Sequence, residues 1–141
     1  MIRQHHGLIG LTILFAVLVL FHSSAQGSRS ASPPEIIEFG QAVVRHVWPK
    51  GLSVAFEGKA GAVITLEVTS KTTTGGFDPF VGLLDPTGKE EASDDDSGGQ
   101  GNCLIKDHVL KKDGKYRVVI GAEDHKEGEV EILLKKVEPR R

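Results

Sequence analysis

The chain has 141 residues, with 17 Lys and Arg against 19 Asp and Glu, which gives a formal net charge of −2. This length fits one domain, and a hydrophobic content of 39% is sufficient for a packed core. The charge balance lacks the basic excess through which proteins bind phosphate backbones, so nucleic acid is not expected as a partner.

The amino-terminal segment has the three-part pattern of a secretory signal peptide. Arg3 supplies positive charge, residues 8–21 form a mostly apolar run, and residues 23–25 are small. The apolar run is shorter than the roughly 18 residues that a membrane-spanning helix needs. We therefore predict a signal peptide over residues 1–25, cleavage before Gln26, and no stable membrane span after cleavage.

Composition also divides the remaining chain. Residues 26–35 are polar and contain proline without any hydrophobic period, which predicts a flexible linker. The folded domain is expected over residues 36–137, with residues 138–141 as a tail. Cys103 is the only cysteine, so no disulfide can form within the chain, and its apolar neighbours favour a buried thiol over a reactive one.

Alternating apolar and polar residues predict four half-buried strands. These segments are residues 52–57, 64–69, 115–120 and 129–134. The glycine-containing connection at 58–61 has hairpin length, so the first two strands are expected to pair, and the last two are expected to form a second hairpin. Leu66 and Ile132 are placed on buried faces, and Thr65 on the opposite face.

A fifth segment, residues 80–84, is apolar throughout and ends at the turn sequence Asp85-Pro86-Thr87-Gly88, which predicts a strand buried on both faces. Residues 36–47 are expected to be extended, and no segment keeps a helical period. Short strands separated by turns favour an all-β antiparallel sandwich over a parallel α/β sheet. The fold prediction is therefore an antiparallel β-sandwich.

Four motifs follow one another between residues 40 and 134. They are Gly58-Lys59-Ala60-Gly61, Phe77-Asp78-Pro79-Phe80-Val81, Asp94-Asp95-Asp96-Ser97-Gly98-Gly99 and Asp113-Gly114-Lys115-Tyr116. In this order they resemble the bacterial pre-peptidase C-terminal domain family. The resemblance implies a jelly-roll-like sandwich, often calcium-associated, that accompanies secreted proteases and other exported enzymes. In this chain we expect the module to stand alone behind its signal peptide.

An acidic stretch is the main chemical feature. Asp94, Asp95 and Asp96 follow two glutamates and precede several glycines. A calcium ion takes about six to eight oxygen ligands, which carboxylates on a flexible loop can supply. We predict calcium as a cofactor and these three aspartates as its ligands. The alternative is a solvated acidic turn that prevents association of sheet edges, and neither the EF-hand nor the β-helix calcium pattern fits.

Two other functions are compatible with the sequence. Asp96-Ser97-Gly98-Gly99 matches the string around the nucleophile of chymotrypsin-like proteases, with His46 upstream, so a serine hydrolase using Ser97 and His46 is the enzyme alternative. The chain is short for that fold, and the neighbouring aspartates would oppose an oxyanion. A carbohydrate-binding module is the other alternative, using exposed aromatics. Its candidate residues are Trp48, Tyr116, Phe56, Phe77 and Phe80.

Together these patterns predict an exported, non-enzymatic β-sandwich that binds or attaches to a partner. The expected location is secreted or periplasmic. The expected partner is an extracellular or envelope protein, or a polysaccharide. His46, His108 and His125 lack the local spacing of a zinc site and are expected to be ordinary surface or strand-end histidines.

Overall fold

A computed structural model describes residues 32–139. The predicted signal peptide at 1–25, cleavage before Gln26, residues 26–31 of the predicted linker and residues 140–141 of the predicted tail lie outside the described residues. Among residues 32–139, no helix has the length and apolar character needed to cross a membrane.

Nine strands and one short 3-10 turn make up the secondary structure of the described residues. The strands are β1 (Glu35–Ile36), β2 (Val43–Val47), β3 (Leu52–Gly58), β4 (Val63–Ser70), β5 (Pro79–Leu84), β6 (Glu90–Asp94), β7 (Cys103–Val109), β8 (Gly114–Ala122) and β9 (Gly128–Val137), and the turn is Glu123–His125. They form a five-stranded sheet in the order β1-β3-β8-β5-β6 and a four-stranded sheet in the order β2-β9-β4-β7. All pairs are antiparallel except β1 with β3. The predicted all-β antiparallel sandwich is confirmed.

The core lies between the two sheets. Leu66 and Ile132 are fully buried there, as the alternating pattern predicts, and the rings of Phe56 and Tyr116 stack with centroids 5.4 Å apart. Each fully buried Leu, Ile or Phe side chain contributes about 1.5–3 kcal/mol through removal of apolar surface from water. Other large side chains in this core are Ile64, Leu83, Leu110, Ile120 and Leu134.

The first predicted hairpin is wrong. β3 pairs with β8 in the five-stranded sheet, from Leu52 opposite Ile120 to Gly58 opposite Gly114, whereas β4 pairs with β7 and β9 in the other sheet. The connection between them crosses the sandwich, and Gly61 donates to the carbonyl of Leu110 at 2.8 Å. An alternating pattern requires only that one face be buried, and two strands in opposite sheets meet that requirement against the same core.

The predicted carboxyl-terminal hairpin is wrong for the same reason. β8 and β9 belong to different sheets, and the chain crosses between them through the 3-10 turn Glu123–His125. Asp124 and His125 both have φ of 53°, a left-handed conformation that reverses the chain within a few residues. The connection has a length compatible with a hairpin, but its course is set by where the two buried faces lie.

Two strands carry no clear alternating signal and are additions to the predicted set. β6 is composed mainly of polar residues at the edge of its sheet, so the acidic stretch is a strand before it becomes a loop at residues 95–102. β7 is interrupted by a bulge, where Lys106 and Asp107 lie opposite Thr65. Thr65 Oγ1 accepts a hydrogen bond from the Asp107 backbone at 3.2 Å, so this outward side chain is only 9% exposed.

Candidate functional site

Phe80 projects from the outer face of the five-stranded sheet. Its side chain is 46% exposed, so the prediction that residues 80–84 are buried on both faces is wrong at this position. The far edge of the ring lies over Gly121 of β8, since a Cβ added to Gly121 would come within 2.4 Å of Phe80 Cζ. The missing side chain at Gly121 is what allows an aromatic ring to rest on the sheet here.

Two grooves meet at Phe80. The first, the apolar groove, has a volume of about 470 Å³ and is lined by apolar side chains that include Pro49, Leu52 and Val119. The second, the acidic groove, has a volume of about 430 Å³. It is lined by Phe80, Val81, Glu90, Ser93, Asp94 and Asp95. We call Phe80 and these two grooves the Phe80 face.

Asp94, at the end of β6, closes the following loop. Its Oδ2 accepts hydrogen bonds from the backbone of Ser97 at 3.0 Å and of Leu104 at 2.7 Å. Desolvation acts to raise the pKa of Asp94, but the hydrogen bonds from Ser97 and Leu104 outweigh it and hold the pKa below its ordinary value. This carboxylate therefore has a structural role that the sequence pattern does not reveal.

The next two aspartates are more exposed. Asp95 Oδ1 accepts from the backbone of Asp96 at 2.9 Å. The negative charges of Asp95 and then Asp78 raise the pKa of Asp96 above its ordinary value. Asp78 also belongs to this group, although it is not among the predicted ligands, and its Oδ1 lies 3.1 Å from the position of a Cβ added to Gly101. The sequence feature that could have identified Asp78 is the Phe77-Asp78-Pro79 motif, in which Asp78 directly precedes β5.

The fit of calcium to these residues is poor as they stand. Within residues 32–139, no three side chains of Asp, Glu, His or Cys lie close enough together to hold a metal ion. Asp94 Oδ2 is already engaged by two backbone donors, and Asp95 Oδ1 by one. The aspartates thus share a loop without forming a preformed calcium cage, and calcium binding there stays a prediction.

The structure does not join the residues of the proposed serine hydrolase. Ser97 lies in the loop after β6 of the five-stranded sheet, and His46 lies on β2 of the other sheet. The His46 ring packs against Trp48 with centroids 4.2 Å apart, and its Nε2 has no hydrogen-bond partner among the described residues. A nucleophile and base pair requires a hydrogen bond between them, which this arrangement does not provide.

The aromatic candidates divide into two groups. Phe56, Tyr116 and Phe77 are buried in the core, whereas Trp48 is 59% exposed and Phe80 is 46% exposed. Trp48 immediately precedes Pro49, which lines the apolar groove. Two of the five sequence candidates are therefore exposed, of which Phe80 lines both grooves and Trp48 lines neither.

A buried polar cluster between the sheets was not anticipated. His108 of β7 donates from Nε2 to Glu91 Oε2 of β6 at 2.9 Å, and the Glu91 side chain is only 4% exposed. The hydroxyl of Tyr116 lies 3.4 Å from Glu91 Oε1. Glu91 is one of the acidic stretch, but its burial depends on the pairing of β6, which the sequence pattern does not show.

Comparison with known proteins supports the fold. No family model and no curated protein matches the sequence. Among solved structures, the pre-peptidase C-terminal domain of a collagenase from Bacillus anthracis matches with a TM-score of 0.60 and 15% identity, over 73% of this chain and 95% of that chain. The periplasmic g-type lysozyme inhibitor PliG from Salmonella Typhimurium matches at 16% identity over 72% and 98% of the two chains, but its TM-score of 0.41 is too low to indicate a shared fold. The resemblance to the pre-peptidase C-terminal domain is thus confirmed as a likeness of fold.

Proposed function

We propose that this protein is an exported, non-enzymatic binding module that contacts its partner through the Phe80 face. The observation that carries this proposal is the exposed ring of Phe80 beside an apolar groove of about 470 Å³. When a partner covers an exposed aromatic ring, apolar surface is removed from water, which favours binding. Aromatic side chains are therefore frequent among the residues that contribute most to binding. The volume also falls within the range of ordinary ligand sites.

Two observations support a binding role over a catalytic one. The fold is that of a domain found in a collagenase, named there as a carboxyl-terminal module and not as the protease itself. In addition, His46 lies on β2 of one sheet and Ser97 follows β6 of the other, and His46 Nε2 has no hydrogen-bond partner within residues 32–139, its nearest carboxylate being that of Glu127 at 3.7 Å. A serine-directed covalent probe should therefore leave Ser97 unlabelled, and labelling of Ser97 would restore the hydrolase alternative.

Export is the second part of the proposal. It rests on the signal-peptide pattern of residues 1–25, and it places the module in the periplasm or outside the cell. Amino-terminal sequencing of protein recovered from the periplasm or the medium should begin at Gln26. Full-length protein retained stably in membranes would contradict the proposed processing.

A carbohydrate-binding module is the second candidate function, because Trp48 is 59% exposed and directly precedes Pro49, which lines the apolar groove. Aromatic rings provide flat apolar surfaces against which sugar rings can pack. In that case the polysaccharide would contact both Trp48 and Phe80, whereas a protein partner would depend on Phe80 and its two grooves.

The two candidates are separated by co-sedimentation with insoluble polysaccharides and by capture of envelope proteins on the immobilised module. Phe80→Ala should weaken partner binding by about tenfold, the loss that corresponds to about 1.4 kcal/mol. Phe39→Ala is the matched control, because Phe39 is also partly exposed but packs on Phe56 away from both grooves. Equal losses in both variants, or none, would contradict a binding role for the Phe80 face.

A further inference from the structure

The acidic groove carries negative charge that the protein does not neutralise. Among residues 32–139, none of the salt bridges involves Glu90, Asp94, Asp95 or Asp96. Glu90, Asp94 and Asp95 line this one groove, so their like charges repel one another. A positive group from outside would relieve that repulsion.

The apolar groove is different in character. Pro49, Leu52 and Val119 line it, while the charged residues Lys50 and Asp124 contribute one charge of each sign. Its electrostatic contribution is therefore small, and it is suited to an aliphatic or aromatic side chain. Phe80 lines both grooves, so a single ligand that covers its ring reaches an apolar site on one side and an acidic site on the other.

The acidic edge also argues against one possible occupant. β6 is an edge strand of its sheet. Among the described strands it pairs only with β5, so no strand is paired to its other side. A second copy of this chain that approached the same edge would bring like charges together, which is unfavourable. A cationic partner gains from the same charges, because electrostatic complementarity speeds association and excludes wrong partners.

We propose that the Phe80 face binds a segment of a partner protein in which Lys or Arg adjoins an aromatic or aliphatic side chain. The cation lies over Glu90 and Asp95, and the apolar side chain enters the apolar groove beyond Phe80. This inference rests on the proposed binding role of the Phe80 face and specifies the chemistry of the partner.

Short synthetic peptides test this directly. The probe is the blocked pentapeptide Lys-Lys-Phe-Lys-Lys, compared by calorimetry with Glu-Glu-Phe-Glu-Glu and with Lys-Lys-Ala-Lys-Lys. The first peptide should bind about tenfold or more tightly than either of the others, and raising the salt from about 0.05 to about 0.3 M should weaken it. Fluorescence of Trp48, the only tryptophan and the chain neighbour of the groove residue Pro49, gives a second readout.

Variants separate charge from apolar contact. Glu90→Gln combined with Asp95→Asn should reduce affinity for the lysine peptide about tenfold, since it removes two facing charges while keeping the side-chain shapes. Glu38→Gln combined with Glu138→Gln changes the net charge equally at exposed sites outside both grooves and should have no effect. Gly121→Ala should also weaken binding, because the added Cβ occupies the resting place of the Phe80 ring.

The outcomes distinguish this inference from the proposed function. Equal affinity for the lysine and glutamate peptides, or an unchanged affinity in the Glu90 and Asp95 double variant, would overturn the cationic ligand. If no peptide binds but polysaccharide co-sedimentation still depends on Phe80, the inference fails and the binding function stands. If neither assay depends on Phe80, both fail.

Discussion

Asp85 shows how one carboxylate holds a turn in place. Its side chain is 2% exposed, and its Oδ1 accepts from the backbone of Thr87 at 2.7 Å and of Lys89 at 3.1 Å, while Oδ2 pairs with Lys112. The Lys112 ammonium, followed by the Thr87 hydroxyl, holds the pKa of Asp85 well below its usual range. The Asp-Pro-x-Gly sequence predicts the turn, but Lys112 lies 27 positions away, beyond any local pattern.

The lowered pKa gives a pH dependence of stability. A carboxylate whose pKa is lowered by folding stabilises the folded state at pH values above its ordinary pKa of 3.8. This contribution is lost as the pH falls from 3.8 through the lowered pKa of the folded state. Asp85→Asn should therefore be less stable than the parent near pH 7, and the difference should shrink towards about pH 2. Urea unfolding at both pH values measures it, with Asp124→Asn as an exposed control. A difference that is the same at both pH values would contradict the assigned role.

The Cys103 thiol should be unreactive in the folded protein. Its thiol is buried and donates to the carbonyl of Pro79 at 3.1 Å. Burial, followed by the charge of Asp94, raises the pKa of Cys103 to about 12, so the reactive thiolate is scarce at neutral pH. Iodoacetamide should modify it only after unfolding in urea, as read by mass spectrometry. Rapid modification of the native protein would mean that the β7 edge is open.

At the scale of single elements, alternation identifies buried faces but not strand partners. Leu66 and Ile132 face the core as predicted, because every second residue of a half-buried strand must be apolar. The partner of each strand depends on contacts far along the chain, such as Val43 of β2 opposite Ile132 of β9. The two hairpin predictions failed for this reason. The alternating pattern does not predict β6, because its residues are mainly acidic or polar, or β7, because a bulge interrupts it.

The bulge in β7 changes what is expected of Thr65. Leu66→Ala should cost about 2–5 kcal/mol, because it leaves a cavity in the core. Thr65→Ala, expected from the alternating pattern alone to cost little, should cost about 1 kcal/mol, because Asp107 loses the hydrogen-bond acceptor of its backbone N–H. Thr65→Ser keeps the hydroxyl and should retain most of that stability. Unfolding in denaturant measures the free energy of each variant. Equal stability of the Ala and Ser variants would contradict a stabilising role of the Thr65 hydroxyl.

At the scale of the whole molecule, composition and turn spacing were sufficient to predict an all-β sandwich. The Phe80 face was not predictable in the same way, because its parts come from separate segments. Pro49 follows β2, Phe80 belongs to β5, and Gly121 belongs to β8. Only the sheet order β8-β5-β6 brings them beside the acidic edge. The acidic residues themselves could be found by sequence, since three of them are consecutive.

Calcium provides a test of domain stability as a whole. Because Asp94, Asp95 and Asp96 do not form a preformed cage, we expect binding only at millimolar calcium, as in weak extracellular sites. Such binding should raise the Tm by about 2–5 °C, since an ion that binds only the folded state stabilises it by mass action. Asp95→Asn combined with Asp96→Asn should abolish the increase while leaving the Asp94 hydrogen bonds intact. A Tm that is the same in calcium and in chelator would rule out calcium at this loop.

The crossing connections have a consequence for how the chain acquires its structure. Among the described strands, only β5 and β6 are both consecutive and paired, while β8 and β9 occupy interior positions in their sheets. Four of the seven strand pairings among the described residues therefore require β8 or β9, and a topology with such distant pairings folds slowly. During synthesis, the first hundred residues emerge before either sheet can be completed, because β8 and β9 follow residue 113. A chain that completes its fold late is suited to passage through a translocation channel in an unfolded state, which the proposed export would require.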